Sequence, residues 1–236
     1  MINSFTLQVC KLNDLQALEM YHLYARYYGG TSQQLFLKDL SQKSHVILLI
    51  DGEKAIRGFS TVRKIETEFE GRPVRALFSG DTIVEDQFWG KNDLAQSWLK
   101  YAGKVKREHP QQPLYWFLIV KGQRTYRYLN VFSRTYFPAL GVETPVREKK
   151  LMDQLSLEMF GEAYDQKNGV LRFHQSQGHL REEWADIPKK DLRRPEVQFF
   201  LERNSGYRLG HELVCLCELS EENLKPLSRR IFSDPD

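Results

Sequence analysis

The stretch from His45 to Glu85 most limits what this chain can fold into. "HVILLIDGEKAIRGFSTVRKIETEF" reads as two strands joined at Asp51-Gly52, a hairpin signal between apolar runs. "EGRP" then turns the chain into "VRALFSGDTIVE", so a three-stranded antiparallel meander is expected. An amphipathic helix follows, with Leu94, Trp98, Leu99, Ala102 and Val105 on one side. The chain returns through "LYWFLIV", Leu114 to Val120, an apolar run suited to a strand covered on both faces. A strand, a crossover helix and a second strand normally lie in one sheet with right-handed connectivity. The fold class expected is therefore α/β (α+β), a mixed but mainly antiparallel central sheet flanked by helices.

The flanks fit around that block. "FTLQVCKL" alternates like a strand. The helix after it carries Leu15, Leu18, Tyr21, Tyr24 and Tyr28 and is stopped by Gly29-Gly30. "SQQLFLKDLSQK" is a second helix with Ser32 as its N-cap. Downstream, Gln123 to Leu140 reads as an aromatic helix ended by Pro138 and Gly141. The rest reads as a helix around "LMDQLSLEMFGEAYDQ", a strand "GVLRF", a helix "PEVQFFLERN" and a last strand "ELVCLCEL". "HQSQGHLREEWADIPKKDLRR" is expected to be a polar connection.

Composition narrows the function classes. The 236 residues suit one globular unit, and 41% hydrophobic with 28% charged residues is ordinary folded usage. A formal charge of +3 is too small to demand a polyanionic partner, so nucleic acid is not the expected one. Cys10, Cys215 and Cys217 make an odd set with neither disulfide nor zinc spacing, which favours a reducing, cytoplasmic setting. Two apart on a strand, Cys215 and Cys217 read as buried thiols. No signal peptide is expected in "MINSFTLQVCKLNDL". "VILLI" and "YWFLIV" are far short of the roughly 20 residues that span a bilayer.

The junction "IVEDQFWGKND" carries the strongest site signal. A loop that opens a helix presents unpaired amides and the positive end of the helix dipole, which together suit an anion such as phosphate. The donors here come from Gln87, Phe88, Trp89, Gly90, Lys91 and Asn92; Gly90 tolerates unusual backbone angles and Lys91 adds a cation. The same residues also suit an ordinary turn with Asp93 as N-cap. Neither the Walker loop nor the three-glycine dinucleotide fingerprint is present.

The order of elements, with "QFWGKN" after the third strand of the meander, resembles the GCN5-related N-acetyltransferase superfamily. Its pyrophosphate loop follows Q/R-x-x-G-x-G/A. Gln87 and Gly90 match, and Asn92 stands at the final small residue. The resemblance implies that Gln87 to Asn92 hold the pyrophosphate of coenzyme A, and that Ile83 and Val84 pair with the pantetheine arm. It implies acetyl-CoA or a longer acyl-CoA as co-substrate, or an acyl carrier protein as donor, with an amine of a small metabolite or peptide as acceptor. It also divides the chain into a core over 1–150 and an extension over 151–236 that completes the sheet and covers the substrate cleft. The tyrosine that protonates the leaving thiolate in the family falls at Phe137 of "FPALGV"; Tyr136 is next door.

An acyl transfer needs a proton acceptor and donors for the developing oxyanion. Asp81, mid-strand between Phe78 and Ile83, is the first candidate base, with Glu66 and Glu68 also on bordering strands. Asp81 is equally readable as a carboxylate on the sheet's wet face or at a bulge beside Gly80. Tyr126, Tyr128 and Tyr136 are candidate acids, although aromatic residues at helical spacing commonly pack a core. Ser133 has no His and Asp partners patterned to activate it. Lys121, Arg124 and Arg127 suit an anionic group or a solvated helix start. His174, His179, Glu182 and Glu183 lack the spacing of a one-face metal site, so no metal is expected. "PKKDLRR" reads as a surface loop. The alternative function is a non-catalytic protein of the same fold, which Asn92 and Phe137 favour. Acyl group, acceptor and oligomeric state are left open.

Overall fold

The computed structural model describes residues 2–234. In chain order it begins with β1 (Asn3–Gln8), α1 (Asp14–Tyr27), the two-residue β2 (Tyr28–Gly29) and α2 (Gln33–Leu40). The meander is β3 (His45–Ile50), β4 (Ile56–Phe69) and β5 (Arg72–Val84), followed by α3 (Asp93–Glu108) and β6 (Leu114–Val120). Then come α4 (Gln123–Phe132), α5 (Val146–Phe160), and the short strands β7 (Tyr164–Asp165), β8 (Val170–Leu171) and β9 (His179–Leu180). Short helices α6 (Glu182–Ala185) and α7 (Lys189–Leu192) lead to α8 (Pro195–Arg203), β10 (Glu212–Glu218) and α9 (Pro226–Ser233). The class is mixed α/β with mainly antiparallel sheet flanked by helices.

The chain forms two compact units: Met1–Arg26, Ser32–Trp116 and Leu219–Asp236 make the first, and Tyr27–Thr31 with Phe117–Glu218 make the second. In the first, β1, β3, β4 and β5 lie in that order, with each of the three pairs antiparallel. Side chains alternate across a strand, so Phe59 and Lys64 on β4 face opposite ways. Phe59 meets Phe36 of α2, which packs on Tyr24 of α1. On the other face Lys64 reaches Glu108 of α3, and the Arg75 guanidinium donates to Val105 O at 2.9 Å. Leu94, Trp98, Leu99, Ala102 and Val105, the expected apolar stripe of α3, are all buried. Outside α3 lies α9, where Phe232 O accepts from Arg107 Nη1 at 2.9 Å.

In the second unit the latter part of β6, β10, β8 and β7 follow one another, and β2 pairs with β9. Every residue of β10 except Glu218 is buried, including Cys215 and Cys217. Tyr126 of α4 is fully buried against Phe200 of α8.

Five local expectations are corrected. The helix read through "FGEAYDQ" stops at Phe160, with Gly161 at φ +53°, and Tyr164–Asp165 form β7 instead. The polar connection 174–194 holds β9, which pairs with β2, and the short helices α6 and α7. The β3–β4 connection is not a two-residue turn at Asp51-Gly52. Asp51 N donates to Ala55 O, and Asp51 Oδ1 accepts from the Glu53 and Ala55 amides, making a longer loop with Lys54 at φ +67°. The two-residue turn with both residues at positive φ is instead Glu70-Gly71. The aromatic helix stops at Phe132, not at Leu140, because Ser133 turns extended. Phe137 then exchanges two backbone hydrogen bonds of 2.8 Å with Leu216 of β10. Tyr136 and Phe137 are therefore not helical neighbours. Finally, Asn92 rather than Asp93 occupies the cap position of α3, and without a side-chain cap bond.

Candidate functional site

The β4–β5 ladder breaks at one place. Ser60 is opposite Thr82 and Val62 is opposite Ser79, so Thr61 alone faces both Gly80 and Asp81. Such a bulge leaves one residue out of the ladder and bends the strand. It is bracketed by a Ser60 Oγ to Thr82 Oγ1 bond of 2.8 Å on one side and by Trp116 Nε1 donating to Ser79 Oγ at 2.8 Å on the other. Gly80 is glycine for want of room: a Cβ there would stand 2.5 Å from both Lys43 Cε and Thr61 Oγ1. Lys43 is buried, ion-paired to Asp39 at 2.5 Å, and Thr61 Oγ1 is buried with no hydrogen-bond partner. Asp81 sits at this bulge, half-buried.

Four residues further along the chain, β5 gives way to the loop through a buried carboxylate. Glu85 accepts from Arg26 Nη1 at 2.6 Å, Arg57 Nη1 at 3.2 Å and Gln87 Nε2 at 2.8 Å. Burial pushes its pKa up, but the Arg26 and Gln87 hydrogen bonds and the charges of Arg26 and Arg57 outweigh it and hold it below the ordinary value. Arg57 is itself fixed by Asp51 Oδ2 at 2.6 Å, so the β3–β4 loop and the β5 end are braced together.

Beyond Glu85 the chain coils tightly: Phe88 N donates to Glu85 O, Trp89 N to Asp86 O and Lys91 N to Phe88 O. Trp89 Nε1 donates back to Val84 O at 2.7 Å, and the Lys91 ammonium lies 5.0 Å from the Phe88 ring centroid. Gly90 has φ +85°, in the region that favours glycine. The first amides of α3, those of Asp93, Leu94 and Ala95, have no intrahelical acceptor, and the first such bond is Gln96 N to Asn92 O. The result is an exposed loop with free amides at a helix start, one ammonium from Lys91, and carboxylates at Asp86 and Asp93.

The structure groups Asp81, Ile83, Val84 and the loop 87–92 on one strand and its continuation. Glu66 is exposed and pairs with Arg75, six residues along β5 from Asp81, roughly 20 Å away at strand rise. Tyr136 belongs to the second unit, where it is buried edge-on to Tyr126 at 6.0 Å, and burial raises its hydroxyl above the ordinary pKa. The Tyr126 hydroxyl donates to Pro138 O at 2.9 Å, and Ser133 Oγ lies 2.8 Å from Cys217 Sγ, both buried. Lys121 pairs with Glu212 at 3.2 Å, and Arg127 with Asp191 at 3.8 Å. His179 lies in β9 and Glu182 and Glu183 open α6; among the described residues no three His, Cys, Asp or Glu side chains gather as a metal site. No helix among them is long and apolar enough to cross a membrane. Sequence reasoning missed Glu85, Arg26 and Arg57, because nothing local marks three charges that meet only in the fold.

No protein-family model matches the sequence, and comparison with curated proteins finds no match. Among solved structures, the chain is similar to a probable N-acyltransferase from Enterococcus faecalis, with 14% identity and a TM-score of 0.42 over 57% of this chain and 33% of that one. It is similar to Escherichia coli ElaA at 17% identity and a TM-score of 0.40, over 61% and 93% of the two chains. It is also similar to Escherichia coli YhbS, a GNAT-family N-acetyltransferase solved with coenzyme A, at 12% identity and a TM-score of 0.39, over 56% and 69%. This chain thus spans 33% of the length of the first of these proteins.

Proposed function

We propose that the chain is an N-acyltransferase that moves an acyl group from acyl-CoA, or from an acyl carrier protein, to an amine of a small metabolite or peptide. One observation carries this: the β5 bulge at Gly80-Asp81 and the glycine-containing loop that opens α3 lie on one strand and its direct continuation. Open amides at the start of α3 suit a pyrophosphate. The strand end at Ile83 and Val84 suits the amide groups of pantetheine, which pair as another strand does.

Asp81 at the bulge is the proposed base. The amine nitrogen attacks the thioester carbonyl, its proton passes to Asp81, and the C–N bond forms as the C–S bond breaks. The thiolate leaves by taking a proton from an acid; Tyr136 is the candidate that the family resemblance puts next to the usual position. Glu66, exposed on the hairpin, is the secondary candidate base. The division into a core over 1–150 and an extension over 151–236 belongs to the same proposal.

A second reading is a ligand-binding protein of the same fold without catalysis. Phe137 stands where the family's acid falls, and Asp86 and Asp93 place two carboxylates beside the proposed pyrophosphate loop. Isothermal titration with coenzyme A and with acetyl-, octanoyl- and palmitoyl-CoA separates the outcomes. Saturable heat that is lost in Gly90→Trp supports the loop as the donor site, and a chain-length preference names the acyl group. No heat with any of them removes acyl-CoA as the donor.

A further inference from the structure

The face of the first unit that carries α3 is not filled as far as the edge of its sheet. Between the edge strand β1 and the C-terminal half of α3 lies a cavity of about 600 Å³, a size typical of small-molecule sites. Four lysines line it: Lys11 just after β1, Lys64 on β4, and Lys100 and Lys104 one turn apart on α3. Lys64 is paired with Glu108 at 2.9 Å and Lys100 with Asp234 at 3.6 Å. Lys11 and Lys104 make no ion pair among the described residues, and no arginine lines the cavity.

His45 and Tyr101 complete the lining, packed ring against ring with centroids 5.1 Å apart. Tyr101 is only 7% exposed. Its hydroxyl and His45 Nδ1 are both buried without a hydrogen-bond partner. Ser44 Oγ, which gives its proton to Val62 O at 3.0 Å and accepts from Lys64 N at 3.2 Å, stands beside the Tyr101 hydroxyl and keeps one lone pair facing it. Buried polar atoms are rarely left unmatched, and here two of them belong to side chains that border one basic cavity. Burial, then the charges of Lys64 and Lys104, hold the His45 imidazole below its ordinary pKa against the opposing pull of Glu108.

We propose that this cavity binds a compact phosphate-bearing anion, held by Lys11 and Lys104 and hydrogen-bonded by the Tyr101 hydroxyl and the His45 ring. Several ammonium groups around one cavity suit a compact, multiply charged anion such as a phosphate, which lysine holds as a point charge. The site is independent of the proposed acyl-CoA loop. Lys104 lies eleven residues into α3 from Asp93, roughly 16 Å down the helix axis.

The test is titration of the full chain with sodium pyrophosphate, then with inorganic phosphate, at constant ionic strength, followed by calorimetry and by the NMR signals of the His45 ring. Saturable pyrophosphate binding that moves the His45 signals is expected. Tyr101→Phe keeps the ring packing and should weaken binding about fivefold, and Lys104→Gln or Lys11→Gln about tenfold. The His45 response should be the same in Gly90→Ala. Pyrophosphate that leaves His45 unmoved overturns the proposal. So does binding that survives both lysine substitutions but falls in Gly90→Ala, which would put the phosphate at the start of α3.

Discussion

Arg26 near the end of α1 donates to Glu85 at 2.6 Å, tying that helix to the residue where β5 becomes the loop. The pair does more than join two elements. With Arg57 and Gln87 it fills the acceptor positions of a carboxylate whose side chain is only 6% exposed. The loop therefore leaves the sheet from a fixed point.

Glu85→Gln should cost about 2 kcal/mol, the range for hydrogen bonds to charged groups reduced by the half-exposed Arg26. The folded pKa of Glu85 lies below its ordinary value of 4.5. Its contribution is therefore complete above that value and is lost as pH falls through the lower folded value. Thermal melts of the native chain and Glu85→Gln should converge on acidification below pH 4.5; a constant gap would show that charge has no part in the effect.

Gly90→Ala isolates backbone strain. A Cβ at Gly90 meets nothing within 4 Å, so any cost comes from φ +85°. About 1 kcal/mol is expected, near a fivefold loss if the same loop geometry is needed for coenzyme A. Calorimetric titration of both proteins with coenzyme A measures it.

Gly103 is where α9 closes onto α3. A Cβ there would stand 1.8 Å from Phe232 O, a backbone atom that cannot step aside. Gly103→Ala should therefore cost about 3 kcal/mol and release α9. Hydrogen exchange should rise across Pro226–Ser233. In a chain shortened before Pro226 the same substitution should cost almost nothing, because its obstacle has gone.

Asp81 and Glu66 differ in setting although both are carboxylates of one hairpin. Asp81→Asn should lower kcat about a hundredfold with little change in KM for the acyl donor. Glu66→Gln, an exposed change, should leave stability within about 0.5 kcal/mol and kcat close to native. Steady-state assays of the two variants with the acyl-CoA that binds best decide between them as the base. Equal loss in both would make neither the specific base.

Much of the first unit was legible because its signals are local. Alternation, long apolar runs and the five-residue stripe of α3 led to β3, β4, β5, α3 and β6, and β6 runs from Leu114 to Val120 as expected. Ser32 caps α2 by accepting from Leu35 N, a contact three residues long that needs no tertiary partner.

Other features were set only by residues far away in the chain. Gly80 and Asp81 form a bulge because of how β4 pairs across from them, and strand register depends on a partner as much as on the strand itself. The aromatic helix ends at Phe132 because the backbone that follows hydrogen-bonds to Leu216 on β10. Arg26 and Glu85 are 59 residues apart, and no local pattern announces that two such charges will meet. By itself the sequence determined the meander strands, the helix α3 and the strands β6 and β10, since propensity and periodicity act over a few residues; β7, β9 and the end of α4 were not legible in it. The tertiary structure decided the bulge, the buried carboxylate and the free donors of the basic cavity, since each depends on atoms brought together only by folding.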